Sequence, residues 1–108
     1  MLRKADRLTT KEVAALSKGK SVFGTLLSLR FITAEKSKFS VSVSKKVAPR
    51  AVDRNAVRRK LYDVLKDASR SLKKPVFAMV LPKKECLDAA PAALSRELAI
   101  VFAKAGLS

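Results

Sequence analysis

Apolar residues recur in two rhythms along this chain, and each change of rhythm marks an element. Thr9-Thr10-Lys11-Glu12 has the spacing of a capping box, a carboxylate three residues after a hydroxyl. It predicts a short helix to about Ser17, with Val13, Leu16 and Ala14 on its apolar side, ended at Lys18-Gly19-Lys20 by a glycine C-cap. From Ser21 the period drops to two. Val22 and Phe23 suit a short strand before Gly24. In Thr25 to Thr33, Leu27, Leu29 and Phe31 fall on one face, and Leu26, Ser28, Arg30 and Ile32 on the other. The polar run Ala34 to Ser37 fits a hairpin turn. Phe39, Val41 and Val43 then alternate with Ser40, Ser42 and Ser44. A strand face lined by serines leaves room for a ligand backbone and offers it hydroxyls.

The longest periodic segment runs from about Asp53, a candidate helix cap, to Leu72. Val57, Leu61, Val64, Leu65, Ala68 and Leu72 recur at three- and four-residue steps and predict one buried stripe. Lys73-Lys74-Pro75 ends it, because proline biases its predecessor to extended form. Val76 to Leu81 is continuously apolar, as expected of a strand covered on both faces. Pro91 to about Lys104 predicts a last amphipathic helix with Leu94, Leu98, Ile100, Val101 and Phe102 inward, ended near Gly106. The order α-β-β-β-α-β-α describes an α+β fold, a compact sandwich of helices on a four-stranded sheet. At 108 residues, with no repeat or linker, it is read as a single domain over 1–108.

Charge then narrows the partner. Lys and Arg total 24 against nine acidic residues, a formal charge of +15. A compact fold with that imbalance repels itself and needs a polyanion to offset it. Nucleic acid fits better than an anionic membrane surface, and no stretch approaches the length of a membrane span. The basic start of the chain is followed by no apolar run of signal-peptide type. One cysteine, Cys86, cannot form an internal disulfide, which fits a reducing compartment. A cytoplasmic location is the expectation. Histidine is absent, so histidine acid–base chemistry and a protein zinc site are excluded. The carboxylates lie singly and form no DxD or ExxE group to hold Mg²⁺. Cys86 has no base near it in sequence and reads as a small packed residue.

The stretch from Ser40 to Lys60 concentrates the charge. A serine-rich strand leads through Lys45, Lys46 and Arg50 into a helix whose first turns carry Arg54, Asn55, Arg58, Arg59 and Lys60. A helix N-terminus offers unpaired N–H groups and a partial positive charge, and arginine forks grip phosphate oxygens. Later turns alternate in sign (Asp63, Lys66, Asp67, Arg70), as a merely solvated face would. The first two turns do not. This pattern indicates RNA or DNA without choosing between them.

Ser42-Val43-Ser44-Lys45-Lys46-Val47, Arg50-Ala51-Val52, Arg54-Asn55 and Arg58-Arg59 together resemble the bacterial ribonuclease P protein component. Arg7-Leu8 before a short helix, Gly19-Lys20-Ser21-Val22, and an apolar strand ending in Pro82-Lys83-Lys84 resemble it too. The resemblance spans essentially the whole chain. It implies a left-handed β-α-β crossover between Val43 and Val76, against the usual handedness rule. It also implies an endoribonuclease holoenzyme whose catalytic centre lies in its RNA subunit. Mg²⁺, bound mainly by that RNA, would remove the 5′ leader of precursor tRNA. Lys45, Lys46, Arg50, Arg54, Asn55, Arg58, Arg59 and Lys60 would bind the RNA subunit. Val13, Leu16, Arg30, Ser40 and Ser42 would line a cleft for the leader, and this chain would supply no catalytic residue, metal ligand or small-molecule site. The sequence departs from the family pattern at Ala56, usually basic, at Val13 and Leu16, where the family has cleft aromatics, and at Arg30, where it has an exposed aromatic. The alternative is a basic ribosomal or ribosome-assembly protein with no processing activity; a protein-only nuclease would need an acidic metal cluster.

Overall fold

The computed structural model describes residues 7–107; the basic residues 1–6 and Ser108 lie outside them. Three α-helices and four strands follow in the order α1 (Thr10–Ala15), β1 (Lys20–Phe23), β2 (Leu27–Thr33), β3 (Lys38–Val41), α2 (Ala51–Ala68), β4 (Val76–Pro82) and α3 (Pro91–Lys104). The capping box at Thr9 is fully formed: Glu12 N–H donates to Thr9 Oγ1 and Thr9 N–H to Glu12 Oε1. Ser42 N–H still donates to Val80 C=O, so β3 pairs a little past its last regular residue.

The sheet order is β1-β2-β4-β3. β4 runs antiparallel to β2 and parallel to β3, so α2 is the crossover joining two adjacent parallel strands, as such pairs require. Residues 34–37 are therefore not a hairpin turn. They span the width of β4, and Ser37 Oγ accepts from Val76 N–H while Ala34 N–H donates to Pro75 C=O. Seven residues of β2 meet seven of β4, from Leu27↔Pro82 to Thr33↔Val76.

One sheet face carries the core. Leu27, Leu29 and Phe31 of β2, Phe39 and Val41 of β3, and Val76, Ala78 and Val80 of β4 pack with Val57, Leu61, Val64 and Leu65 of α2 and Leu94, Leu98, Val101 and Phe102 of α3. Each of the larger side chains among them, Val, Leu and Phe, contributes about 1.5–3 kcal/mol relative to exposure. The phase of α3 differs from expectation. Glu97 is buried while Ile100 is 44% exposed, because only the stripe through Leu94, Leu98 and Val101 faces the sheet. β4 is also not covered equally: Val76, Ala78, Val80 and Pro82 are buried, but Phe77, Met79 and Leu81 only partly.

Helix ends account for the remaining differences. α2 starts at Ala51 and is capped by Arg50, with no side-chain hydrogen bond; Asp53 sits in the first turn and accepts from Arg50 Nε at 3.0 Å. It stops at Ala68, ahead of Pro75, where Ser69 and Ser71 hydroxyls donate to the carbonyls of Lys66 and Ala68 and the turn tightens. Gly106, at φ 75°, closes α3: its N–H reaches Ala103 C=O while Leu107 N–H reaches Phe102 C=O. Gly19 is extended (φ −81°) and is no left-handed cap. It is needed because a Cβ there would stand 2.5 Å from the Phe31 carbonyl oxygen.

Candidate RNA interface

The loop from Ser44 to Arg50 and the first turns of α2 are built around one buried side chain and one clasp. Ala48 is buried, and its carbonyl and that of Pro49 accept from Arg54 Nη1 at 3.0 and 2.8 Å. Arg54 therefore holds the loop against the helix. Lys60 is similarly engaged: its ammonium donates to Ala89 C=O at 2.9 Å and Leu87 C=O at 3.3 Å, tying α2 to the segment after β4. Asn55 Oδ1 accepts from Arg58 Nη1 at 2.7 Å and orients that guanidinium. Lys45, Lys46 and Arg59 are exposed and make no hydrogen bond or ion pair among the described residues. The exposed Arg50–Asp53 pair is a surface bridge, a type worth about 0–1 kcal/mol. Of the eight basic-site residues, Lys45, Lys46, Arg50, Arg58 and Arg59 are thus presented outward around a helix N-terminus that has no side-chain cap bond, and Arg54 and Lys60 hold the flanking loop and segment in place. Ala56 lines a cavity of about 290 Å³ with Asp53, Val57, Lys60, Leu87 and Asp88.

The second predicted cluster lies on the sheet face opposite the core. Cross-strand partners leave the same face, so the register sets Ser21, Arg30, Met79 and Ser40 in one row. Phe23, Ser28 and Leu81 form the adjacent row. β4 separates Arg30 from Ser40, which the expected hairpin would have made neighbours. α1 is fixed over part of this face by Glu12 Oε2, which accepts from Lys38 Nζ at 2.9 Å. That ammonium and the Thr9 backbone hold the Glu12 carboxyl at about 2, well below its ordinary value.

Arg30 is less available than its sequence position implied. Its Nε donates to Leu16 C=O at 2.6 Å, Nη2 to Ser17 C=O at 2.7 Å and Nη1 to Ser21 Oγ at 3.3 Å. The guanidinium thus satisfies carbonyls left open where α1 ends and pins that turn to the sheet. Leu16 is buried beneath the turn, so it anchors α1 and does not wall a cleft. Val13 and Ser40 are partly exposed and Ser42 is exposed. Replacing Arg30 with Ala is expected to lower stability by about 1–2 kcal/mol, since one part-buried and two exposed hydrogen bonds to a charged donor are lost. Thermal melts check this; Arg30→Lys, with no fork, should recover less than half. An unchanged melting temperature in Arg30→Ala would show that the three bonds do not hold the turn.

A four-stranded mixed sheet with this strand order, backed by two helices and crossed by a third, is shared with solved proteins. The RNase P protein of Staphylococcus aureus superposes with a TM-score of 0.79 at 22% identity, over 96% of this chain and 98% of that one. A mutant of it described as defective in mRNA degradation activity gives 0.81 at 21%, over 97% and 92%. The RNase P protein from Thermotoga maritima gives 0.78 at 17%, over 91% and 96%. These likenesses show the fold. No curated protein matches the sequence significantly. The family described as Ribonuclease P matches residues 2–106. The chain belongs to the ribonuclease P protein family. It is a subunit of an endoribonuclease that processes tRNA, and RNA binding follows from that membership. The ribosomal alternative has no support from this match. Among the described residues no helix is long and apolar enough to cross a membrane, and no three His, Cys, Asp or Glu side chains gather where an ion could be held.

Proposed function

We propose that α2 and its preceding loop dock on the RNA subunit of ribonuclease P, and that the open sheet face beside α1 receives the 5′ leader of precursor tRNA. The observation that carries this reading is the outward presentation of Lys45, Lys46, Arg50, Arg58 and Arg59 around one helix N-terminus, in a chain of this family. These cations lower the phosphate repulsion that the folded RNA and its substrate must otherwise overcome with ions. Mg²⁺, which prefers phosphate oxygens and water, is expected mainly on the RNA. The chain's own part is to bind, orient and neutralise. A cytoplasmic location accords with that work.

Reconstitution with a bacterial ribonuclease P RNA tests the reading. The holoenzyme is expected to cleave precursor tRNA at its 5′ end at Mg²⁺ concentrations where the RNA alone is slow. The protein alone is expected to cleave at none. Specific 5′ cleavage by rigorously RNA-free protein, or no change in the Mg²⁺ requirement on adding it, would sink the proposal.

A further inference from the structure

Phe23 is the most exposed aromatic among the described core-forming types, 69% open on the edge strand β1. A single exposed apolar side chain is ordinary in itself; its setting here is not. Its register partner is Ser28, and Ser28 pairs in turn with Leu81 of β4, so all three leave the face opposite the core. Ser28 is short and nearly buried, recessed between its two larger row neighbours. The row therefore begins with an upstanding ring, dips at Ser28, and continues towards the exposed Ser42 and the basic loop beyond it. At about 4.8 Å per strand it extends roughly 14 Å across the sheet.

The turn that follows Phe23 is held from two sides. The buried Glu97 of α3 accepts from Leu26 N–H at 2.5 Å, and Lys83 Nζ donates to Gly24 C=O at 2.7 Å. Gly24 N–H closes the turn on Leu27 C=O at 2.9 Å. The turn also seats tightly: a Cβ on Gly24 would stand 2.6 Å from Glu97 Oε2 and 2.9 Å from Val101 Cγ1. The ring thus projects from fixed backbone, so little ordering is lost when something stacks on it. One cation sits at the turn: Lys83, bonded to Gly24 C=O. Arg30, in the adjacent row, is committed to Leu16, Ser17 and Ser21. An exposed aromatic on rigid backbone beside a cation is an arrangement that holds a base by its face and a neighbouring phosphate by charge.

We infer that Phe23 is a stacking platform for an unpaired base of the leader, at the end of the cleft remote from α1. The inference rests on the leader reading above and adds a contact that the sequence pattern did not single out. The sheet register decides it, because only the antiparallel pairing of β1 with β2 sets Phe23 on the open face. The platform selects for single-stranded RNA, since a base within a duplex has no free face to offer.

The test uses the reconstituted holoenzyme, with precursor tRNA carrying a leader of several nucleotides and mature tRNA carrying none. Phe23→Ala and Phe23→Leu are each expected to weaken binding of the precursor about 5- to 30-fold, the range for one lost base stack. Mature tRNA should bind as before, and Phe23→Tyr should bind both like wild type. The chain has no tryptophan, so Phe23→Trp supplies a single emitter at the site. Its fluorescence should be quenched by precursor and not by mature tRNA. Full precursor affinity in Phe23→Ala, equal losses for both tRNAs, or wild-type binding by Phe23→Leu would each overturn the platform. A changed sedimentation coefficient of the free Phe23→Ala protein, with precursor binding intact, would assign the ring to contact with a second copy and overturn it too. If the wild-type holoenzyme itself shows no preference for a leader, the leader reading fails first and the platform falls with it.

Discussion

Replacing Arg50, Arg58 and Arg59 together by Ala is expected to weaken binding to ribonuclease P RNA by about 3–6 kcal/mol, taking about 1–2 per charged contact. The slope of log affinity against log salt should flatten by about 2–3, since each phosphate contact contributes somewhat under one unit. All three side chains point away from the Val57–Leu61–Val64 stripe, and Arg50 surrenders only its exposed bridge to Asp53, so the melting temperature should barely move. Arg54→Ala makes a useful contrast. Its guanidinium clasps Ala48 and Pro49, so its loss should loosen the loop and lower stability along with affinity. Filter binding across a salt series measures the first effect and thermal unfolding the second. A triple variant that binds as tightly as wild type at every salt concentration would remove this end of α2 from the interface.

The largest expected effect on stability away from the apolar core belongs to Glu97. Its carboxylate is buried and bonded to the backbone N–H of Leu26, a charged bond of the kind worth about 1.5–3 kcal/mol. Glu97→Ala orphans that N–H and should cost about 2–3 kcal/mol, a fall in melting temperature on the order of 10 °C for a domain of this size. Glu97→Gln keeps an acceptor in place and should lose about half as much. Hydrogen exchange should locate the damage, with Leu26 and Gly24 amides losing protection before those of α2. Equal protection at Leu26 in wild type and Glu97→Ala would show that the carboxylate does not hold the turn.

Local rules carried far in this chain and failed where tertiary pairing took over. The capping box at Thr9, the α2 stripe from Val57 to Leu65 and the alternation in β2 depend on neighbours three or four residues away or on strand phase, and these appear as expected; the stripe's continuation to Leu72 does not, because α2 ends at Ala68. The hairpin expected at residues 34–37 depended on which strand lies beside β2, and β4 comes from forty residues further on. That displacement also separated Arg30 from Ser40. Arg30 itself looked like a free cation because the carbonyls it satisfies, on Leu16 and Ser17, arise from the docking of α1. The engagement of Lys60 with Leu87 and Ala89 was hidden for the same reason. Charge pattern identified the basic cluster but could not divide it into outward cations and bracing ones.

The position of β4 between β2 and β3 sets an order on folding. β2 and β3 are joined by a short polar connection, so in a chain still lacking β4 they can zip into a local hairpin within microseconds. That hairpin is non-native and occupies the edges β4 requires. Parallel pairing of β4 with β3 can form only once α2 has folded back across the sheet, a slow closure by comparison. Lys38 and Ser40 make one face of β3 polar, so such a local pair would bury little apolar surface, and apolar residues there would favour it over pairing with β4.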